Sequence, residues 1–139
     1  AEAIDRFAAQ TVIALGDSLH DEAGAARLTP EDRESLAILQ EDREWIWITG
    51  NHDPKIAREL GGHVLDALTV EGLTFRHEPS NGRVTHEIAA HLHPAAKLSL
   101  HGYSFRRPCF VSNGLRLVMP AFGTYAGGLN ILDEAFDPL

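Results

Sequence analysis

A chain of 139 residues, 44% hydrophobic and 23% charged, fits one domain with an ordinary buried core. Its formal net charge of −8 argues against bulk electrostatic binding of nucleic acid, and no apolar run approaches the roughly 18 residues of a membrane helix. A single cysteine, Cys109, excludes an internal disulfide framework and fits a reducing cytoplasm, whereas eight histidines favour imidazole and carboxylate chemistry.

The opening AEAIDRFAAQ sets Ile4, Phe7 and Ala8 at helical spacing and reads as the end of a helix entered partway. TVIAL, residues 11–15, is apolar and partly β-branched and stops at Gly16, as a buried strand would. GDSLHDEAGAARL is expected to be loop. Thr29, Pro30, Glu31 and Asp32 then supply an N-cap, a first-turn proline and first-turn acids, so a helix begins there. Leu36, Ala37 and Leu39 form its apolar side. EWIWIT is the second buried strand, with Trp45 and Trp47 two apart and sharing a core-facing side. PKIAREL reads as a short helix closed by Gly61 and Gly62.

The pattern then changes. HVLDALTVEGLTFRHE reads as two strands around a Glu71-Gly72 turn. AAKLSLHG, YSFRRPCFVS and LRLVMP read as further strands, with Asn113-Gly114 as a hairpin turn. A β-α-β first half and a mostly β second half imply a single layered α/β domain over residues 1–139, with sheets that mix parallel and antiparallel strands.

Polar clusters stand where these strands end. Asp17 follows the first strand, and Asn51, His52 and Asp53 follow the second, in ITGNHDP. The interval holds one helix, so a right-handed crossover would lay the two strands parallel and bring both clusters to one carboxyl edge. Open α/β sheets bind ligands at that edge. His77 follows a later strand in FRHEP, and His91 and His93 follow the apolar Ile88-Ala89-Ala90. A carboxylate, an amide oxygen and several imidazoles suit Zn, Mn or Fe. Each residue alone has a plainer reading. Asp17 could cap a turn, Asn51 could close one, and His63, His86 and His101 read as structural or solvent-facing.

The ordered set GDSLH, GNHD, His77 and AHLHP resembles the calcineurin-like metallophosphoesterases. The stretches TVIALGDS, RHEP and PAFGTYAGGLNILD look like one small bacterial branch, the ligase-associated DNA-damage-response endonucleases or phosphoesterases. The resemblance implies two divalent metal ions. Asp17 would bridge them, Asn51, His77 and His91 would complete one site, and His93 would belong to the other. His52 would contact the phosphate and protonate the leaving oxygen, and Asp53 would orient His52. His20 stands where the family has Asp and could reach the site's edge. Arg76, Arg106 and Arg107 read first as solvated cations and second as phosphate contacts. Tyr125 with Gly127 and Gly128 would shape a nearby loop. The family's first motif, Asp-x-His, does not occur in the sequence. The resemblance therefore implies a chain lacking its N-terminal strand, with the first metal left only Asp17 and His93.

The expected function is metal-dependent hydrolysis of phosphodiesters, with nucleic acid and a DNA-repair partner as the implied setting and the cytoplasm as the implied location. The alternative is a non-catalytic scaffold of the same fold.

Overall fold

The computed structural model describes residues 1–19, 21, 23–53, 60–123 and 126–138. The chain divides into two compact units, Ala1–Leu68 and Thr69–Leu139.

The first unit contains helix α1 (Glu2–Phe7), strand β1 (Thr11–Leu15), helices α2 (Gly24–Arg27) and α3 (Pro30–Gln40), and strands β2 (Glu44–Ile48) and β3 (His63–Leu65). β1 lies parallel to β2 with Thr11 opposite Glu44 and Leu15 opposite Ile48, and β3 lies parallel on the other side of β2. The expected crossover is thus present, with β2 in the middle. A central parallel strand is covered on both faces and needs apolar residues at consecutive positions. Trp45, Ile46, Trp47 and Ile48 are all buried. The two indole rings stand 5.5 Å apart, and Trp47 Nε1 donates to the Gly61 carbonyl at 2.9 Å. Val12, Ala14, Leu36 and Leu39 pack onto the Trp45–Trp47 side with Ala25 and Leu60.

α3 starts as its sequence requires. Thr29 Oγ1 accepts from the Asp32 amide at 3.1 Å, and the Asp32 carboxylate accepts from the Thr29 amide at 3.3 Å. The stretch expected as loop contains the one-turn helix α2, which carries Ala25 into the core. The backbone approaches closely there: a Cβ on Gly24 would stand 2.2 Å from the Leu19 carbonyl oxygen. The helix expected over PKIAREL lies outside the described residues except for Leu60, which is buried.

The second sheet has five strands in the order β4-β5-β6-β10-β9. They are β4 (Ala67–Val70), β5 (Leu73–Arg76), β6 (Glu87–Ala89), β9 (Val111–Ser112) and β10 (Arg116–Val118). β6 runs parallel to both β5 and β10, and β9 runs antiparallel to β10, so the sheet is mixed as expected. Strands β7 (Ala95–Leu100) and β8 (Tyr103–Pro108) form a separate antiparallel hairpin.

HVLDALTV is not one strand but two. It divides at Asp66, whose carboxylate accepts from Thr49 Oγ1 at 2.9 Å; β3 pairs with β2 and β4 with β5. Two-residue hairpin turns of type I′ need positive φ at both central positions. Glu71 and Gly72 supply 50° and 82°, and His101 and Gly102 supply 50° and 81°. At the third turn the Asn113 side chain accepts from the amides of Leu115 and Arg116, both at 2.9 Å.

Candidate metal centre

Gly16 and Asp17 leave β1 in the left-handed region, at φ 81° and 49°. The turn redirects the chain just beyond the strand, and Asp17 sits half-buried. β2 ends two residues before Gly50, and the backbones of the two loops meet there. A Cβ on Gly50 would lie 2.1 Å from Asp17 Oδ1 and 2.3 Å from the Asp17 nitrogen. Only glycine allows that approach. Asp17 Oδ1 accepts from the His52 amide at 2.8 Å. Asn51 and His52 themselves are exposed at the tip.

Asp53 is 1% exposed. Its Oδ1 accepts from the amides of Asp17 at 2.9 Å and Gly50 at 3.1 Å, and its Oδ2 accepts from the Leu19 amide at 3.1 Å. A buried carboxylate is tolerated where donors of this kind surround it. It ties the loop after β1 to the loop after β2 through backbone bonds, which the residue types alone could not reveal.

In the second unit, His77 follows β5 and is buried, and His91 follows β6 and is half-buried. Their rings meet edge to face, with centroids 5.0 Å apart and 76° between planes. His91 Nδ1 and His77 Nε2 are 3.1 Å apart. The Ala90 amide donates to the His77 carbonyl at 2.9 Å, which fixes the two strand ends to each other. His91 and His93 adopt φ of 63° and 45° in a tight loop closed by the Leu92 amide on the Ala90 carbonyl at 2.7 Å. Left-handed non-glycine residues are uncommon and concentrate at turns and functional loops. Here they include Asp17, His91 and His93, all read from the sequence as ligands.

His77 and His91, both of the second unit, bring two imidazole nitrogens together as candidate ligands for one metal ion. The donors fit such an ion. Nitrogens bound at about 2.0–2.1 Å in neighbouring coordination positions stand roughly 3 Å apart, close to the 3.1 Å between His77 Nε2 and His91 Nδ1. His93 is not in that pair. Gly128 lies against it: a Cβ there would stand 2.5 Å from the His93 carbonyl oxygen.

Arg76 is engaged elsewhere. Its Nη1 donates to Ser80 Oγ, and that hydroxyl donates to Glu87 Oε2 at 2.6 Å. Glu87 also pairs with Arg116 Nε at 2.6 Å, and Arg116 Nη2 donates to the Ser80 carbonyl at 2.6 Å. Glu87 and Arg116 are buried charges at opposed register positions of β6 and β10. Sequence reasoning missed this network; a charged residue at the start of each short strand, EIA and RLV, was the available sign. Arg106, Arg107, His63, His86 and His101 are exposed, as read, and Cys109 is half-buried. His20 and Tyr125 lie outside the described residues.

The sequence matches no protein-family model and no curated protein. Among solved structures, the crystal structure of Pseudomonas putida nuclease MPE matches with a TM-score of 0.73 and 28% identity, over 96% of this chain and 69% of that one. The architecture is therefore an α/β fold with mixed sheets and flanking helices, consistent with the calcineurin-like metallophosphoesterase fold and related to that nuclease at moderate identity. No helix among the described residues is long and apolar enough to cross a membrane.

Proposed function

We propose that the chain is a metal-dependent phosphoesterase that hydrolyses phosphodiesters, nucleic acid among them. The observation that carries this reading is the His77–His91 pair of imidazoles, found in a chain similar to a nuclease, and Asp17 would join them as the carboxylate ligand. Asn51 would complete the ligand set of that ion. Asp17 and His93 would hold a second ion in the same reading, with Mn, Fe or Zn as the metals. Bound divalent ions supply Lewis acidity toward the phosphoryl oxygens and lower the pKa of water. The chain's own residues do the rest. His52, exposed at the tip of the loop after β2, holds the phosphate and gives a proton to the leaving oxygen. Asp53 keeps the loop that carries His52 in place through its amide bonds. A DNA-repair setting follows from the sequence resemblance, and a partner that delivers the substrate fits the acidic net charge.

The test is metal content together with Mn-dependent hydrolysis of bis(p-nitrophenyl) phosphate. Asp17→Asn is expected to lose both metal and hydrolysis. His52→Ala is expected to keep metal and lose about 10²–10⁴ in rate on an alkyl phosphodiester, whose leaving oxygen needs a proton. It should lose far less on the nitrophenyl ester, whose leaving anion is already stable. A metal-loaded chain that hydrolyses no phosphodiester would overturn the reading in favour of a scaffold.

A further inference from the structure

The β7–β8 hairpin carries Lys97, Arg106 and Arg107 and no carboxylate, in a chain whose formal charge is −8. None of the three cations forms an ion pair with a described residue. The pairing opposes Leu98 to Phe105 and Leu100 to Tyr103, so these four side chains share one face. They are exposed by 59%, 42%, 61% and 71% respectively. Arg107 extends the same face opposite Ala96, while Lys97 and Arg106 oppose each other on the reverse face.

An isolated two-stranded hairpin is marginal in water, and a contiguous apolar face left in solvent marks a binding surface. Among the described residues, the backbone hydrogen bonds that tie this one to the rest of the chain lie at its base. The Ala95 amide donates to the Leu129 carbonyl at 2.8 Å, the Cys109 amide donates to the Pro94 carbonyl at 3.0 Å, and Ala95 and Pro94 are buried. The strands beyond the base present aromatic rings with the Arg107 guanidinium on the same face, bonded to the Arg106 carbonyl at 3.1 Å but to no carboxylate among the described residues. That combination matches single-stranded nucleic acid, whose bases stack on aromatic faces and whose phosphates take the cations. It fits a second copy less well, because a symmetric face-to-face pair would bury two like-charged Arg107 side chains.

We propose that β7–β8 is a platform for single-stranded nucleic acid, on which Tyr103 and Phe105 stack bases and Arg107, on the same face, holds the backbone. The proposal rests on the phosphoesterase reading for its purpose. β7 begins two residues after His93, and six strand residues reach about 20 Å. A nucleic acid strand lying along the hairpin would therefore lead to the His91–His93 loop.

The test is fluorescence anisotropy of a labelled oligothymidylate of roughly 12 nucleotides, titrated with the full chain in EDTA so that nothing is cut. The native chain is expected to bind. Tyr103→Ala should weaken binding about 5- to 150-fold, and Tyr103→Phe, which keeps the ring, should restore it. Arg107→Gln should flatten the dependence of log affinity on log salt by roughly 0.7. Failure of the native chain to bind, or equal binding by Tyr103→Ala, overturns the proposal. So does loss of a dimer in sedimentation by Tyr103→Ala with oligonucleotide affinity unchanged, which would assign the face to a second copy. No metal or hydrolysis enters this assay. Its failure therefore leaves the phosphoesterase reading to the ester assay, and an inactive enzyme that still binds the oligonucleotide overturns only that reading.

Discussion

The carboxylate of Asp53 accepts three backbone amides while almost wholly out of solvent. Asp53→Ala leaves those donors without their acceptor and is expected to cost on the order of 3–5 kcal/mol. Asp53→Asn keeps an oxygen for the amides of Asp17 and Gly50 but turns a donor toward the Leu19 amide, so a loss of about 1–3 kcal/mol is expected. Urea midpoints of the two variants measure the difference. Equal midpoints would remove Asp53 from this holding role. The GNHD resemblance assigns Asp53 to orienting His52, and the hydrogen bonds add the loops themselves to what it positions. At this scale the pairing of two imidazoles was legible: His77 and His91, each read as a ligand, stand with ring nitrogens 3.1 Å apart. The need for glycine at position 50 was not, because it arises from a backbone 33 residues away meeting Gly50 in space.

The elements that local chemistry specifies are present where they were read. The Thr29 cap, the Glu71-Gly72 and Asn113-Gly114 turns, and the parallel β1–β2 pair all answer to short-range signals. The break at Asp66 was hidden, because alternating apolar residues identify a strand without naming the sheet it joins. The same holds for Glu87 and Arg116, whose pairing exists only once β6 and β10 are neighbours. Removing one partner strands a buried charge, so Arg116→Met is expected to destabilise by roughly 3–5 kcal/mol. The double change Glu87→Leu with Arg116→Met should recover much of that loss. A denaturation cycle on the two singles and the double reads the coupling, and additive losses would show that the pair is not a unit.

For the molecule taken together, charge and metal are linked. An excess of carboxylates at neutral pH leaves a chain that repels itself, and a bound cation relieves part of that repulsion as well as joining its ligands. Mn²⁺ at about 100 times its Kd is expected to raise stability by roughly 2.7 kcal/mol, on the order of 10 °C in Tm. EDTA should reverse the rise and Asp17→Asn should abolish most of it. A melting temperature indifferent to metal would count against the ligand assignment.

Two of the three amides held by Asp53 lie 34 and 36 residues earlier in the chain, across a full crossover; only the Gly50 bond is local. A synthetic peptide of residues 44–53 would carry the whole GNHD motif and keep one of its three fastenings. The motif is thus not a portable cassette. Grafted onto another strand end, it would bring Asn51 and His52 without the second loop that sets their direction, and transplanting the motif with its fastenings would require β1, β2 and the segment between them as one piece.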